Sequence, residues 1–211
     1  MKDLTFGYYD IPPTICIVAG VLFLIKNSRL NTPEKLVGLV ILLNVLADSA
    51  AYFLMHIDMK SNYLYNFLIP IEKVLTLLIY DKAGQRKKEK IALQMGMAAI
   101  VLIYCVGYFK DGVTGSFHHT SNILTSLIVA AYSYLFLRSN AIGKKGVSQL
   151  VTLFAVANFA YLTISVSALS AMPIARQINN AFEANFYAVN LVAYTLWSII
   201  LLTAILWKRK T

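Results

Sequence analysis

Residues 62–80 read NYLYNFLIPIEKVLTLLIY, and only Glu72 and Lys73 among them carry charge. A predominantly apolar run of about 20 residues is long enough for a helix to cross the hydrocarbon of a bilayer. Asn62, Tyr65, Asn66, Ile69, Glu72, Lys73, Thr76 and Tyr80 recur mostly at steps of three and four. Such spacing turns one helix face toward protein and leaves the rest to lipid. Pro70, near the middle, removes a backbone hydrogen bond and predicts a kink.

Working outward from this run, the same pattern repeats along the chain. Apolar segments cover about 9–25, 34–56, 61–80, 91–109, 120–137, 147–171 and 184–207, and each is of the length a membrane span requires. Pro12 and Pro13 open the first span, where a helix's first turn tolerates proline. Thr32-Pro33-Glu34 opens the second as a cap, a proline in the first turn and an acid favoured by the helix dipole. KDGVTGSFHH, residues 110–119, has the glycines and polar residues of a loop, and Pro173 is expected to end the sixth span. The expected fold is an all-α polytopic transmembrane bundle of seven helices forming a single domain.

Composition agrees with that reading. Of the 211 residues, 58% are hydrophobic and 14% charged, against roughly 45–50% and about 25% in a soluble domain. Seven spans with short connections leave almost nothing for an aqueous kinase, nuclease or DNA-binding module. The net charge of +9 is therefore not expected to serve nucleic acid. It follows the connections instead: Lys26, Arg29, Lys35, Lys82, Arg86, Lys87, Lys88, Lys90, Arg138, Lys144, Lys145, Lys208, Arg209 and Lys210 fall on one side, while Lys2, Lys60, Lys110 and Arg176 fall on the other, 14 against 4. The positive-inside rule then places the N-terminus outside and the C-terminus in the cytoplasm of a multi-pass protein of the cytoplasmic membrane. Tyr8, Tyr9, Tyr108, Phe109 and Trp207 stand near span ends, as interfacial aromatics do. The opening residues lack the basic start and small-residue cleavage site of a signal peptide, so the first span is expected to be retained.

Charges inside spans are where chemistry is sought, because each costs roughly 2.5–3.5 kcal/mol at the bilayer centre on insertion scales. Asp48, Glu72 and Lys73 are the three. Asp48 and Glu72 both lie roughly 14 Å from the outer ends of their helices at 1.5 Å per residue. That common depth predicts an Asp48–Lys73 ion pair with Glu72 as third member. Consecutive helical residues diverge by about 100°, however, so Glu72 and Lys73 cannot face one partner identically. The set either fixes helix packing or forms a ligand, proton or ion site. Further polar stripes run through the fifth helix (His119, Asn122, Ser126, Ser133), the sixth (Asn158, Tyr161, Ser165) and the seventh (Glu183, Tyr187, Asn190, Tyr194, Trp197). They line an outward cavity or bond helices to one another. The candidate binding or ion-pair residues are thus Asp48, Glu72, Lys73, Asn66, Asn122, Asn158, Tyr187 and Asn190.

Metal and cofactor chemistry has no motif here. His118 and His119 are adjacent and His56 stands apart, short of the three or four convergent ligands a metal needs. Cys16 and Cys105 lie inside apolar runs without disulfide or metal spacing. Gly115-Ser116 lies in a loop and lacks the setting of an intramembrane serine nucleophile. The seventh span has no lysine before Lys208 to carry retinal, the spaced histidines of progestin- and adiponectin-type receptors are missing, and no Pro-Gln pair suggests a PQ-loop sugar transporter.

Three stretches, NYLYNFLIPIEKVLTLLIY, SNILTSLIVAAYSYLF in the fifth span and NFYAVNLVAYTLW in the seventh, carry a resemblance over nearly the whole chain. The protein resembles small seven-helix membrane proteins common in Bacteroidetes, a group with no settled activity. The resemblance implies an architecture and no catalytic residues. The function expected from the sequence is a membrane sensor or accessory protein with an outward polar cavity for a small ligand or partner and basic loops for a cytoplasmic protein. A small-solute or proton-coupled transporter is the alternative, followed by an intramembrane lipid-acting enzyme using Asp48 and Glu72, or a membrane effector or pore component.

Overall fold

A computed structural model describes residues 11–56, 62–84, 87–112, 118–141, 147–178 and 180–207. Seven helices carry the chain: α1 (Ile11–Lys26), α2 (Thr32–His56), α3 (Asn62–Ala83), α4 (Lys87–Asp111), α5 (His119–Ala141), α6 (Gln149–Ile178) and α7 (Asn180–Trp207), with a 3-10 turn, Asn27–Arg29, after α1. All seven are long and apolar enough to cross a membrane. Each packs on its sequence neighbours, α7 returns against α1, and α3–α5 and α2–α6 contacts cross the ring. Side chains such as Ile25, Leu46, Phe67, Phe109, Leu135, Ile174 and Leu206 point outward, Phe109 being 93% exposed. Apolar surface distributed over every helix suits lipid and would be costly in water.

The two ends of the bundle differ. Where α2 and α6 begin and α3 finishes, the packed end, Val37, Val40, Ile41, Leu77, Ile79, Tyr80, Val151 and Phe154 are wholly buried together with Leu201 from the end of α7. Lys26 closes this end by donating to the Ile205 carbonyl of α7 at 2.7 Å. α1 and α2 approach so closely there that a Cβ on Gly38 would fall 1.8 Å from the Phe23 ring. The other end, where α1, α3, α5 and α7 begin, encloses open space.

Helix ends correct the sequence reading in two places. The cap of α2 is Asn31, one residue before the expected Thr32. Asn31 Oδ1 accepts from the Glu34 N–H at 3.1 Å, and Glu34 Oε2 accepts from the Asn31 N–H at 2.9 Å, a reciprocal capping box. Glu34 does more than favour the dipole, since the residue is 2% exposed and its Oε1 also accepts from Ser148 Oγ at the start of α6. α6 does not stop at Pro173 but continues to Ile178. Proline deprives the carbonyl four residues earlier of its N–H, and here that carbonyl, Leu169, accepts instead from His119 Nε2 at 2.8 Å. Pro70 is handled alike: Tyr108 Oη on α4 donates to the freed Asn66 carbonyl at 2.5 Å, and α3 runs on unbroken. Gly112 ends α4 with φ +73 and its N–H bonded to the Tyr108 carbonyl at 3.0 Å, a left-handed helix terminus that suits glycine. Tyr8, Tyr9, Gly115 and Ser116 fall outside the described residues, as do the side chains of His56, Arg176 and Glu183.

Candidate functional site

The space at the open end is a cavity of about 600 Å³ between α1, α2, α3, α6 and α7. Asp48, Glu72, Tyr187 and Asn190, four of the residues expected from sequence, lie on its wall. Asn44, Ser49, Tyr52, Tyr65, Tyr161 and Tyr194 join them, with Pro12, Pro13 and Thr14 of the first turn of α1 at its edge. On α2, Asn44, Asp48 and Tyr52 follow one another at steps of four, so a single helical stripe supplies that wall. The same spacing, visible in the sequence, would have found Asn44 and Tyr52.

Asp48 is held by tyrosines. Tyr194 Oη donates to Oδ2 at 2.8 Å and Tyr65 Oη to Oδ1 at 3.4 Å, tying α2 to α7 and α3. Tyr194 is in turn approached by Cys16 Sγ at 3.6 Å, and that sulfur lies 3.2 Å from Ser198 Oγ. Tyr194 donates to Asp48 and Ser198 Oγ to the Tyr194 carbonyl at 2.9 Å, so the single thiol proton of Cys16 serves one of these two oxygens, Ser198 Oγ being the nearer. The rings of Tyr161 and Tyr194 stand 5.9 Å apart, and both pack on Trp197, at 6.2 and 5.7 Å. Trp197 is fixed by its own Nε1 donating to Asn158 Oδ1 at 2.6 Å.

Lys73 does not pair with Asp48, contrary to the sequence expectation. Its Nζ donates to the Asn122 carbonyl at 2.8 Å, to Asn122 Oδ1 at 2.5 Å and to Thr125 Oγ1 at 2.8 Å, and it lies 5.9 Å from the centre of the Tyr104 ring. The divergence of consecutive helical residues explains the difference. Glu72 faces the cavity and the α2 side, beside Asn44, whereas Lys73 faces α5 and is 5% exposed. Equal depth placed Asp48 and Lys73 level, but azimuth around α3 placed them apart.

Asn122, Asn158 and Lys73 belong to a second, much smaller space of about 60 Å³, lined also by Thr76, Ser126 and Ser165. It has room for a few water molecules. Glu72, Ile69 and Tyr161 form the wall common to both spaces. Beyond it Tyr80 Oη meets Ser133 Oγ at 2.8 Å, and its ring stacks on Phe136 at 4.7 Å with Phe154 at 6.4 Å. Tyr80 and Phe136 form part of the lining of a further space of about 370 Å³ at the packed end.

Asn66 belongs to neither space. Its carbonyl takes the Tyr108 bond and its Oδ1 accepts from the His118 N–H at 2.9 Å, so it joins α3 to α4 and to the start of α5. His118 and His119 each use Nε2 on a backbone carbonyl, Gly112 at 2.9 Å and Leu169 at 2.8 Å. A carbonyl only accepts, so both rings carry a proton on Nε2. No group of three or more His, Cys, Asp or Glu poised to hold a metal occurs among the described residues.

Fold and site together define a multi-pass membrane protein whose helices enclose an acid- and tyrosine-lined cavity at one end. Comparison with protein-family models, with curated proteins and with solved structures finds no match for the chain.

Proposed function

We propose that this chain is a sensor or accessory protein of the cytoplasmic membrane that receives a small ligand in the Asp48–Glu72 cavity. The N-terminus and the open end lie outside the cell, and the C-terminus lies in the cytoplasm. The basic connections at the packed end then meet a cytoplasmic protein partner. The observation that carries this reading is the cavity of about 600 Å³ with two intramembrane carboxylates on its wall, because ionisable groups at such depth are costly and usually mark a site. The 14-to-4 division of basic residues supports the orientation.

A ligand touching Asp48 and Glu72 would bridge α2, α3 and α7, and could shift the bundle only by binding one arrangement of them more tightly than another. A thermal-shift screen of the purified protein in nanodiscs tests this. A stabilising compound is expected whose effect disappears in Asp48→Ala and Glu72→Ala; an unchanged shift in both variants would sink the assignment.

A second reading, a solute or proton-coupled carrier, is favoured by the succession of three spaces from the open end to the packed end, interrupted by Glu72–Tyr161 and by the Tyr80–Phe136–Phe154 cluster. Uptake of the stabilising compound into proteoliposomes would establish the carrier; binding without uptake leaves the sensor.

A further inference from the structure

The interior charges do not balance. Asp48 and Glu72 line the large cavity, and no Lys or Arg lines it among the described residues. Lys73 adjoins Glu72 on the small space behind the cavity, but an ammonium has three protons. All three are matched by acceptors on α5: the Asn122 carbonyl, Asn122 Oδ1 and Thr125 Oγ1. Neither carboxylate therefore receives a hydrogen bond from a cation. With both acids ionised the set lacks one positive charge, and in a low-dielectric interior an uncompensated charge is expensive.

Hydrogen-bonding capacity is unbalanced in the same direction. Asp48 accepts two tyrosine hydroxyls, and a carboxylate has about four lone-pair positions. Asn190 Oδ1, buried on the same wall, accepts nothing. Around Asp48 the donors on Tyr65 and Tyr194 are already committed to it, so its remaining lone pairs are the unspent acceptors there, while Ser49 and Tyr187 add hydroxyls to the wall. Aromatic rings form much of the remaining wall, and ring faces attract cations. The volume is that of an organic ligand site. A bare metal ion would need six or more oxygens at about 2.3–2.6 Å in the case of calcium, and no acid cluster of that kind is present among the described residues.

Resting on the ligand-binding reading above, we propose that the ligand is a small organic cation, a primary or quaternary ammonium compound, held by Asp48 and Glu72 against the tyrosine rings. Its charge completes the set of two acids and one base, and its N–H or N–CH₃ groups meet the unspent acceptors.

The test uses the full chain in phosphatidylglycerol nanodiscs with phenethylammonium and choline as probes, against 2-phenylethanol, phenylacetate and sodium chloride. Binding is followed by thermal shift and calorimetry. The ammonium probes are expected to bind and the neutral, anionic and sodium controls not to. Asp48→Asn and Glu72→Gln should each weaken phenethylammonium by about 10- to 100-fold, the loss of one charge-assisted contact. The comparison of probes on the native protein needs no variant to fold. Equal binding of 2-phenylethanol would overturn the assignment, since shape and not charge would then be recognised. Binding of phenylacetate alone would overturn it too, yet leave the ligand-binding reading standing. If nothing in this set binds, the cation assignment falls, and the broader reading is decided by its own screen. A second arm adds phosphatidylethanolamine to the discs: competition with phenethylammonium identifies a lipid headgroup as the source of the ammonium, and its absence a free solute.

Discussion

Tyr108 and His119 perform one task in two places. A proline within a membrane helix strands a carbonyl where no water can satisfy it, and neighbouring groups must do so. Tyr108 bonds the Asn66 carbonyl freed by Pro70, and His119 the Leu169 carbonyl freed by Pro173. Tyr108→Phe should lower stability by about 0.6 kcal/mol and by no more than about 1.7 kcal/mol, the average and the maximum for interhelical hydrogen bonds in membranes, as read by denaturant unfolding in detergent micelles. In a Pro70→Ala background, which returns an N–H to Asn66, the same change should cost clearly less. An equal cost in both backgrounds would mean that the tyrosine acts through packing alone. The sequence marked Asn66 as a binding candidate, and it is instead a junction between three helices. Periodicity shows that a polar side chain faces protein; whether a ligand or a neighbouring backbone waits there depends on helices distant in sequence.

At the level of the helix, existence was legible and termini less so. All seven expected spans correspond to helices, because a run of apolar residues of bilayer length has few other destinations. Two ends shifted for local reasons, the Asn31–Glu34 capping box and the rescue of the Leu169 carbonyl. The close approach of α1 and α2 offers a direct check. Gly38→Ala would drive a methyl into the Phe23 ring, and overpacking of this kind costs about 1–3 kcal/mol. Its melting temperature should fall, and Phe23→Leu in the same chain should recover part of the loss. If Gly38→Ala is neutral, the two helices are not in this register. The Glu34 carboxylate is a second inter-element joint, shared between the starts of α2 and α6. Glu34→Ala leaves the Ser148 hydroxyl and the Asn31 N–H without that partner, and about 1–3 kcal/mol of destabilisation is expected in the same unfolding assay.

Across the whole molecule, a half with a filled centre and spaces of about 370 and 600 Å³ at its rim supports a half whose centre holds the acid-lined cavity. Four of the eight expected site residues meet in that cavity, three more meet in the small space behind it, and Asn66 stands aside. Depth along each helix can be counted from sequence, and Asp48 and Glu72, counted to one level, line one cavity. Rotation about the helix axis cannot be counted so simply once five helices contribute to one wall. It is why Lys73 turned to α5 and why Tyr161 and Tyr194 were seen as stripes and not as a site. Orientation is testable at this scale. Ser49 is exposed on the cavity wall. Ser49→Cys, in a chain with Cys16→Ser and Cys105→Ala, should react with a membrane-impermeant maleimide applied to intact cells. Reaction only after the cells are opened would invert the topology and move the cavity to the cytoplasmic side.

The bonding of Lys73 also bears on the order in which the protein is made. A chain enters the bilayer as it leaves the ribosome, and α2 and α3 can pair at once, Tyr65 covering Asp48. Lys73 gains nothing from that hairpin, because its acceptors Asn122 and Thr125 belong to α5. Until α5 arrives, Lys73 lacks all three of its hydrogen-bond acceptors and has beside it only Glu72 and, once α4 is made, the Tyr104 ring. The expected consequence is that α3 settles late, staying beside the translocation machinery or water until the next helical hairpin is made. A single lysine thus ties the settling of α3 to the arrival of α5.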